Sequence, residues 1–289
     1  MLKVSIIINC YNGSRYLKKT LESVISQSYK DWELIFWDNQ SDDNSYEIFN
    51  DFKEKKFKYF RAKKHTSLHK ARNLALRECS GDIIGFLDTD DYWSKSKLKD
   101  QIDIFERDPK VDCVYTKFWV KYENLFIPNK LITYKNLPEG KILDKLLNEY
   151  NFSLGSALFR KKKLENFPNV FSEKFDLISD FDFMIRFTKK NHLACVQKPL
   201  HYYRKHKNNM SLINFKTQIE QMILWSANLK KENNFTNDQI IKLKKHIDRM
   251  VIKFEIQKMS LLNFIKFIIS GKKDISKFKS LVYFLFKKF

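Results

Sequence analysis

Asp88-Thr89-Asp90-Asp91 places three carboxylates within four residues, directly after the apolar run from Ile83 to Leu87. Hard oxygen ligands in a tight turn suit Mg²⁺ or Mn²⁺, and a diphosphate can complete the shell. A solvated turn capping the following helix would use the same residues. The position after an apolar strand, with Tyr92-Trp93 behind it, favours the metal reading. A second polar cluster, Asp38-Asn39-Gln40-Ser41-Asp42-Asp43, follows the run from Trp32 to Trp37. Asp38 and Asn39 there can hydrogen-bond a nucleobase edge and a ribose, or cap the next helix with Ser41 and Asp42. Arg72 stands on a helix that leads into the Asp-rich strand, where a guanidinium meets phosphate oxygens or merely solvent. Asp180, in Ser179-Asp180-Phe181-Asp182, starts a helix as its N-cap or as a general base toward an acceptor hydroxyl. His206, closing Tyr202-Tyr203-Arg204-Lys205-His206, touches metal or diphosphate, or has a structural role.

The elements that position these residues follow from hydrophobic patterning. Val4 to Ile8, Trp32 to Trp37, Phe57 to Phe60 and Ile83 to Leu87 are short apolar runs of the kind found in buried parallel strands. Between them lie helices: one capped by Ser14 with Leu17, Leu21, Val24 and Ile25 on one face, and one capped by Ser67. Strand and helix alternating at this spacing predict a parallel α/β sheet. Ligands of such sheets sit at the carboxyl ends of the strands, where both acidic clusters fall. The first strand-helix turn, Cys10-Tyr11-Asn12-Gly13-Ser14, has no GxGxxG, and no Walker A loop is present. Phosphate must then be held by metal and cationic side chains. Further on, a helix is predicted over Ser96 to Glu106, a strand over Cys113 to Val120, a helix after Pro138, a strand over Ser156 to Phe159 and a helix over Asp180 to Lys190. Beyond Met210 the pattern is wholly helical and basic.

Composition narrows the class. A hydrophobic content of 43% with 15% aromatics supports a packed core, and 289 residues accommodate one large α/β domain with an appendage. Cys10, Cys79, Cys113 and Cys195 are widely spaced, as expected for reduced thiols in a cytosolic protein and unlike a disulfide framework. Met1-Leu2-Lys3 runs straight into a strand, so no signal peptide is expected, and no apolar run is long enough to span a membrane. The net charge is +20, with 16 basic against 6 acidic residues from Ser211 to Phe289. Such a tail suits an anionic lipid surface or nucleic acid.

Taken in order, these segments resemble glycosyltransferase family 2. They are Val4 to Asn12, Leu21-Glu22-Ser23-Val24 with Gln27-Ser28-Tyr29, Trp37 to Asp43, Ala71-Arg72-Asn73, Phe86 to Trp93, Ser179 to Asp182 and Tyr203 to His206. The resemblance implies an α/β GT-A fold, a mostly parallel sheet flanked by helices. It also implies an inverting, metal-dependent transfer from a nucleotide-sugar, a UDP-sugar by preference, with Mn²⁺ or Mg²⁺ as cofactor. By the same resemblance Tyr11, Asp38 and Asn39 hold base and ribose, and Asp88 and Asp90 bind ribose and metal. Asp91 lies near the donor sugar and Asp180 is the catalytic base, while Arg72 at the donor and His206 at the metal follow from the residue readings above. Asn9 stands where the family usually has Pro. Asn39 replaces the second Asp of an Asp-Asp pair, and Ser179 replaces the Glu before the base.

The expected organisation is a GT-A domain over 1–210, with a nucleotide-sugar half to about 95 and an acceptor half after it, then a basic helical extension over 211–289. In the extension, Ile247, Val251 and Phe254 keep helical spacing. Leu261, Ile265, Ile268, Leu281, Phe284, Leu285 and Phe289 alternate with lysines in the manner of an interfacial helix. The expected acceptor is therefore a glycan or lipid-linked glycan of a cell-surface polysaccharide. The expected location is the cytoplasm, at the inner face of the plasma membrane. Nucleic-acid binding is not expected, because no RRM, KH or zinc-finger signature accompanies the charge. A nucleotidyltransferase would require a glycine-rich N-terminal loop, which is missing.

Overall fold

The computed structural model describes residues 1–258 apart from 124, 125, 127, 133–135 and 232–234. Its elements run β1 (Val4–Cys10), α1 (Ser14–Ile25), β2 (Trp32–Asp38), α2 (Ser45–Asp51), β3 (Phe57–Arg61), α3 (Leu68–Arg77) and β4 (Ile83–Phe86). Next come β5 (Tyr92–Trp93), α4 (Lys97–Arg107), β6 (Cys113–Tyr122), β7 (Lys130–Ile132), α5 (Leu143–Asn148), β8 (Leu158–Arg160) and α6 (Lys161–Leu164). The last are α7 (Ser179–Thr188), β9 (Leu193–Lys205), α8 (Met210–Ile213), α9 (Phe215–Lys231) and α10 (Asn237–Lys258).

The strands form one sheet in the order β3-β2-β1-β4-β8-β6-β9-β5, with β7 on β6. β1 to β4 are parallel, as predicted. The second half is mixed within a sheet that stays mostly parallel, as expected: β6 and β9 run parallel, while β8 runs antiparallel to β4 and β6, and β5 antiparallel to β9. The chain leaves β1 toward β2 on one side and returns through α3 to β4 on the other. That reversal opens a crevice at the carboxyl ends of β1 and β4.

All seven residues of β1 are buried, which accounts for its mainly apolar run, with Ser5 and Asn9 as buried polar exceptions. Alternate side chains face opposite layers. Ile6, Ile8, Leu34 and Phe36 pack with Leu17, Leu21 and Val24 of α1 and with Leu98, Ile102 and Phe105 of α4. Ile7, Ile35, Ile84 and Phe86 pack on the other side with Phe181, Phe183 and Phe187 of α7. This second core also takes in Met222, Trp225, Leu243 and Ile247, so α9 and α10 complete it. At the amino end, buried Glu33 accepts from Lys3, Lys58, Ser5 and the Ser80 amide, pinning β1, β2 and β3. Burial alone would raise that carboxyl; the hydrogen bonds from Lys58, Ser5 and Ser80 hold it well below the usual range.

Ser67 caps α3, its Oγ accepting from the Lys70 amide at 3.3 Å. The expected Ser14 cap is different. Gly13 occupies the cap position of α1, and the Ser14 amide donates instead to Asp43 Oδ2 at 2.9 Å. The segment of the extension with the densest Phe-Lys alternation, including Leu261 to Phe289, lies outside the described residues. Among the described residues no helix is long and apolar enough to cross a membrane.

Candidate active site

The turn after β1 and the turn after β4 face each other across the crevice. They come close at Gly13, where a Cβ would lie 3.0 Å from Cys10 Sγ and from Thr89 Cβ, tighter than side chains ordinarily pack. The cluster after β2 supplies acceptors for the amides of this turn. Asn12 N–H donates to Ser41 Oγ at 3.1 Å, and Gly13 N–H donates to Ser45 Oγ at 3.1 Å. Ser41, Asp43 and Ser45 therefore build the floor of the crevice.

Asp38 and Asn39 reach the same floor, but their side chains are committed to protein partners. Asp38 is fully buried; its Oδ2 accepts from Tyr59 Oη at 2.5 Å and Arg61 Nη1 at 2.7 Å, and its Oδ1 from the Ser41 amide. Burial and then this carboxylate push the Tyr59 hydroxyl up to about 12. Asn39 donates to the Thr66 carbonyl at 2.7 Å and accepts from the Thr66 amide and hydroxyl. What faces solvent here is Tyr11, 54% exposed, with His65 against it at 4.2 Å between ring centroids. Arg61, Tyr59 and His65 were not anticipated. Arg61 ends β3, so the carboxyl-end rule would have found it had the strand been extended by one residue.

The turn after β4 divides its carboxylates between two environments. Arg72 Nη2 donates to Asp88 Oδ1 at 2.6 Å, so the guanidinium expected at phosphate is paired with a carboxylate. Asp88 keeps 44% of its side chain open. Asp90 Oδ2 lies 2.9 Å from His206 Nε2 and accepts from Asn209 Nδ2 at 3.3 Å, which joins two residues far apart in sequence. Burial, then the charge of Asp88, raises the Asp90 carboxyl above its ordinary range.

Asp91, expected near the donor sugar, is turned into the protein interior. It is 2% exposed, accepts from the Arg204 amide at 2.8 Å, and approaches His201 Nε2 at 3.3 Å without hydrogen-bond alignment. Burial raises it well above the usual carboxylate range, and burial pushes His201 down to about 3. A neutral imidazole thus lies behind a carboxyl that favours its proton. Gly155 lets this ring in, since a Cβ there would come within 2.6 Å of it. Below lies Lys97, fully buried, donating to Gln101 at 2.7 Å and 4.0 Å from the Trp93 ring centroid. Burial depresses the amine well below its normal range. Arg204 closes the layer, its Nε donating to the Asp90 carbonyl at 2.8 Å.

Asp180 is the second residue of α7 and not its cap, which is Ile178. Its Oδ1 accepts from the Phe181 amide at 2.8 Å. Asp182 is instead a packing anchor: it accepts from Arg186 and, at 2.8 Å, from Trp225 Nε1 of α9. Ser179, at the position of the family's Glu, is fully buried and donates to the Ser172 carbonyl.

Among the described residues, no group of three His, Cys, Asp or Glu side chains gathers to hold an ion unaided. The Asp90 carboxylate nevertheless fits Mg²⁺ or Mn²⁺, which commonly rely on one or two protein carboxylates plus substrate phosphate oxygens; the His206 imidazole beside it is a softer ligand than Mg²⁺ favours.

In sequence and in fold the chain is similar to known proteins. The profile of Glycosyl transferase family 2 matches residues 5–167. The chain is 28% identical over 221 residues to the Escherichia coli UDP-Glc:alpha-D-GlcNAc-diphosphoundecaprenol beta-1,3-glucosyltransferase WfaP, covering 75% of this chain and 83% of that one. S. aureus TarS in complex with UDP-GlcNAc superposes with a TM-score of 0.68 at 21% identity, over 90% of this chain and 77% of that one. The mannosyltransferase PcManGT from Pyrobaculum calidifontis, in complex with GDP-Man and Mn²⁺, gives 0.62 at 14% identity, over 100% and 88%. The profile spans more than half of the chain and the fold neighbours share its sheet: the chain belongs to glycosyltransferase family 2, with a GT-A fold.

Proposed function

We propose that this chain transfers a sugar, with inversion, from a UDP-sugar to a lipid-linked glycan during cell-surface polysaccharide synthesis, and that the reaction needs a divalent cation. The observation that carries the reading is the Asp88–Asp91 turn at the carboxyl end of β4, with Asp90 paired to His206. The donor and acceptor classes rest on the WfaP relative, whose name gives UDP-Glc and a diphosphoundecaprenol-linked sugar. In the reaction, Asp180 takes the proton of an acceptor hydroxyl as its oxygen bonds to the anomeric carbon. The bond from that carbon to the nucleoside diphosphate breaks on the opposite face, and positioned base catalysis of this kind contributes ~10²–10⁴-fold. A cation held by Asp90 and His206 would act as a Lewis acid toward the charge building on the diphosphate. Tyr11 and the floor around Asp38 and Asn39 would orient the nucleoside.

The test is a panel of UDP-, GDP- and dTDP-sugars with Mn²⁺ and a diphosphoundecaprenol-linked GlcNAc. UDP release and an inverted anomeric centre by NMR are expected. Release of pyrophosphate, or a retained configuration, overturns the proposal.

The basic tail would place the enzyme at this acceptor. About 1 kcal/mol per lysine near an anionic surface makes several lysines sufficient for reversible attachment. The protein is expected to co-sediment with anionic vesicles at low salt, less so after removal of residues 275–289. Equal sedimentation with neutral vesicles, or no loss on truncation, would return the tail to a packing role.

A further inference from the structure

Helix α3 touches both halves of the crevice. On the donor side Arg72 donates to Asp88. On the acceptor side, successive residues of the same helix hold the segment that leads into α7. Asn73 grips the Phe171 backbone in both directions, its Nδ2 donating to the carbonyl at 2.8 Å and its Oδ1 accepting from the amide at 3.0 Å. The Arg72 guanidinium lies over the Phe171 ring at 5.5 Å, and Lys70 pairs with Glu173 at 3.6 Å.

His69 makes the contact nearest to α7. It is 4% exposed, and its Nε2 lies 2.5 Å from the Asp176 carbonyl oxygen. A carbonyl only accepts, so Nε2 carries the proton and Nδ1 keeps a lone pair. That Nδ1 is buried without a hydrogen-bond partner. Protonating it would set a buried cation beside Arg72, and burial first, then Arg72, lowers the imidazole accordingly. A buried nitrogen without a partner is costly. Its retention calls for a role that an apolar side chain would not fill, and the bond to Asp176, four residues before Asp180, supplies one.

We propose that His69 is a positioning residue: through the Asp176 carbonyl it fixes the start of α7, and so places Asp180 relative to the donor that Arg72 and Asp88 border. This rests on the reading of Asp180 as the base. It goes beyond the family pattern, because the matched motif is Ala71-Arg72-Asn73 and does not include position 69. A misplacement of the base by about 1 Å is enough to cost ~10²-fold in rate.

The test compares His69→Leu, His69→Gln and His69→Asn in the full chain, measuring kcat with saturating donor and acceptor and the Kd of UDP with Mn²⁺. Gln carries an N–H near the position of Nε2; Asn is too short to reach the carbonyl. Leu and Asn are expected to lower kcat by at least ~10-fold with the Kd of UDP within about threefold, and Gln to recover most of the loss. Equal kcat in all three variants, or a loss of UDP binding parallel to the loss of kcat, overturns the proposal. Should Leu fail to fold, the Gln and Asn pair decides alone. Asp180→Asn run alongside separates the two ideas. If it leaves turnover intact, the base assignment is wrong; if it abolishes turnover while His69→Asn does not, only the role of His69 falls.

Discussion

Asp180→Asn is expected to lower kcat by at least ~10²-fold while the affinity for UDP stays within about threefold of wild type. The substitution is nearly isosteric, and the amide oxygen can still accept from the Phe181 N–H that Asp180 Oδ1 now holds at 2.8 Å. The start of α7 should therefore survive, and the lost function is proton acceptance alone. Asp182, two residues on, is the internal control. Its carboxylate is bound by Arg186 and by Trp225 across the interface with α9. Asn at 182 should lower the melting temperature more than it lowers kcat per folded molecule. If donor binding collapses in Asp180→Asn while kcat persists, Asp180 is structural and the base lies elsewhere.

The parts of this fold that could be read from sequence are those whose signal is local. β1, β2 and β4 are buried on both faces, so they appear as mainly apolar runs in which Ser5 and Glu33 are the buried polar exceptions near their amino ends. The Ser67 cap is visible because donor and acceptor lie three residues apart. Elements defined by distant pairing were not visible. β5 is two residues long and exists because Tyr92 and Trp93 pair with Tyr202 and His201. β9 carries Gln197, Lys198 and Pro199 where its pairing with β6 shifts register, which breaks the alternation that marks a half-buried strand. The amide of Ser14, at the start of α1, donates to Asp43, 29 residues away in the cluster after β2.

The same division holds in the site. Residue types at strand ends pointed to Asp38, Asp88 and Asp90, and a helix start to Asp180, but what surrounds each one depends on chain returns the sequence does not announce. Asp90 meets His206 only because β9 brings the chain back beside β5. Lys97 stands beside Leu98 and is buried together with Gln101, one turn on, and nothing in the spacing of the helix announces a fully buried amine. Asp91, adjacent to Asp90, points inward to His201 and Arg204, and a run of four acidic-turn residues gives no sign of which carboxylate turns which way.

That division of labour within the turn makes Asp90→Asn the sharpest test of the metal reading. Burial and the neighbouring Asp88 raise the Asp90 carboxyl, so its ionised form is disfavoured in the folded state. The sign follows from linkage: a carboxyl raised above its unfolded value stabilises the fold while protonated, and that contribution is lost as pH rises through the folded value. At neutral pH, with no cation bound, ionised Asp90 is therefore a cost that Asn removes. The amide oxygen can still accept from Asn209, and the pairing with His206 remains open to an amide. The variant should melt at the same temperature as wild type or higher when metal is withheld. With Mn²⁺ and UDP the order should reverse, because wild type gains stability from ligand binding and the variant has lost a hard anionic ligand. Turnover should fall by ~10²–10³-fold, the scale on which losing one preorganised electrostatic contact to a developing charge is felt. Full activity in the purified variant, or an unchanged melting shift with Mn²⁺ and UDP, would remove Asp90 from the cation site and leave the Asp90–His206 pair as a hydrogen bond that holds β9 to the turn after β4.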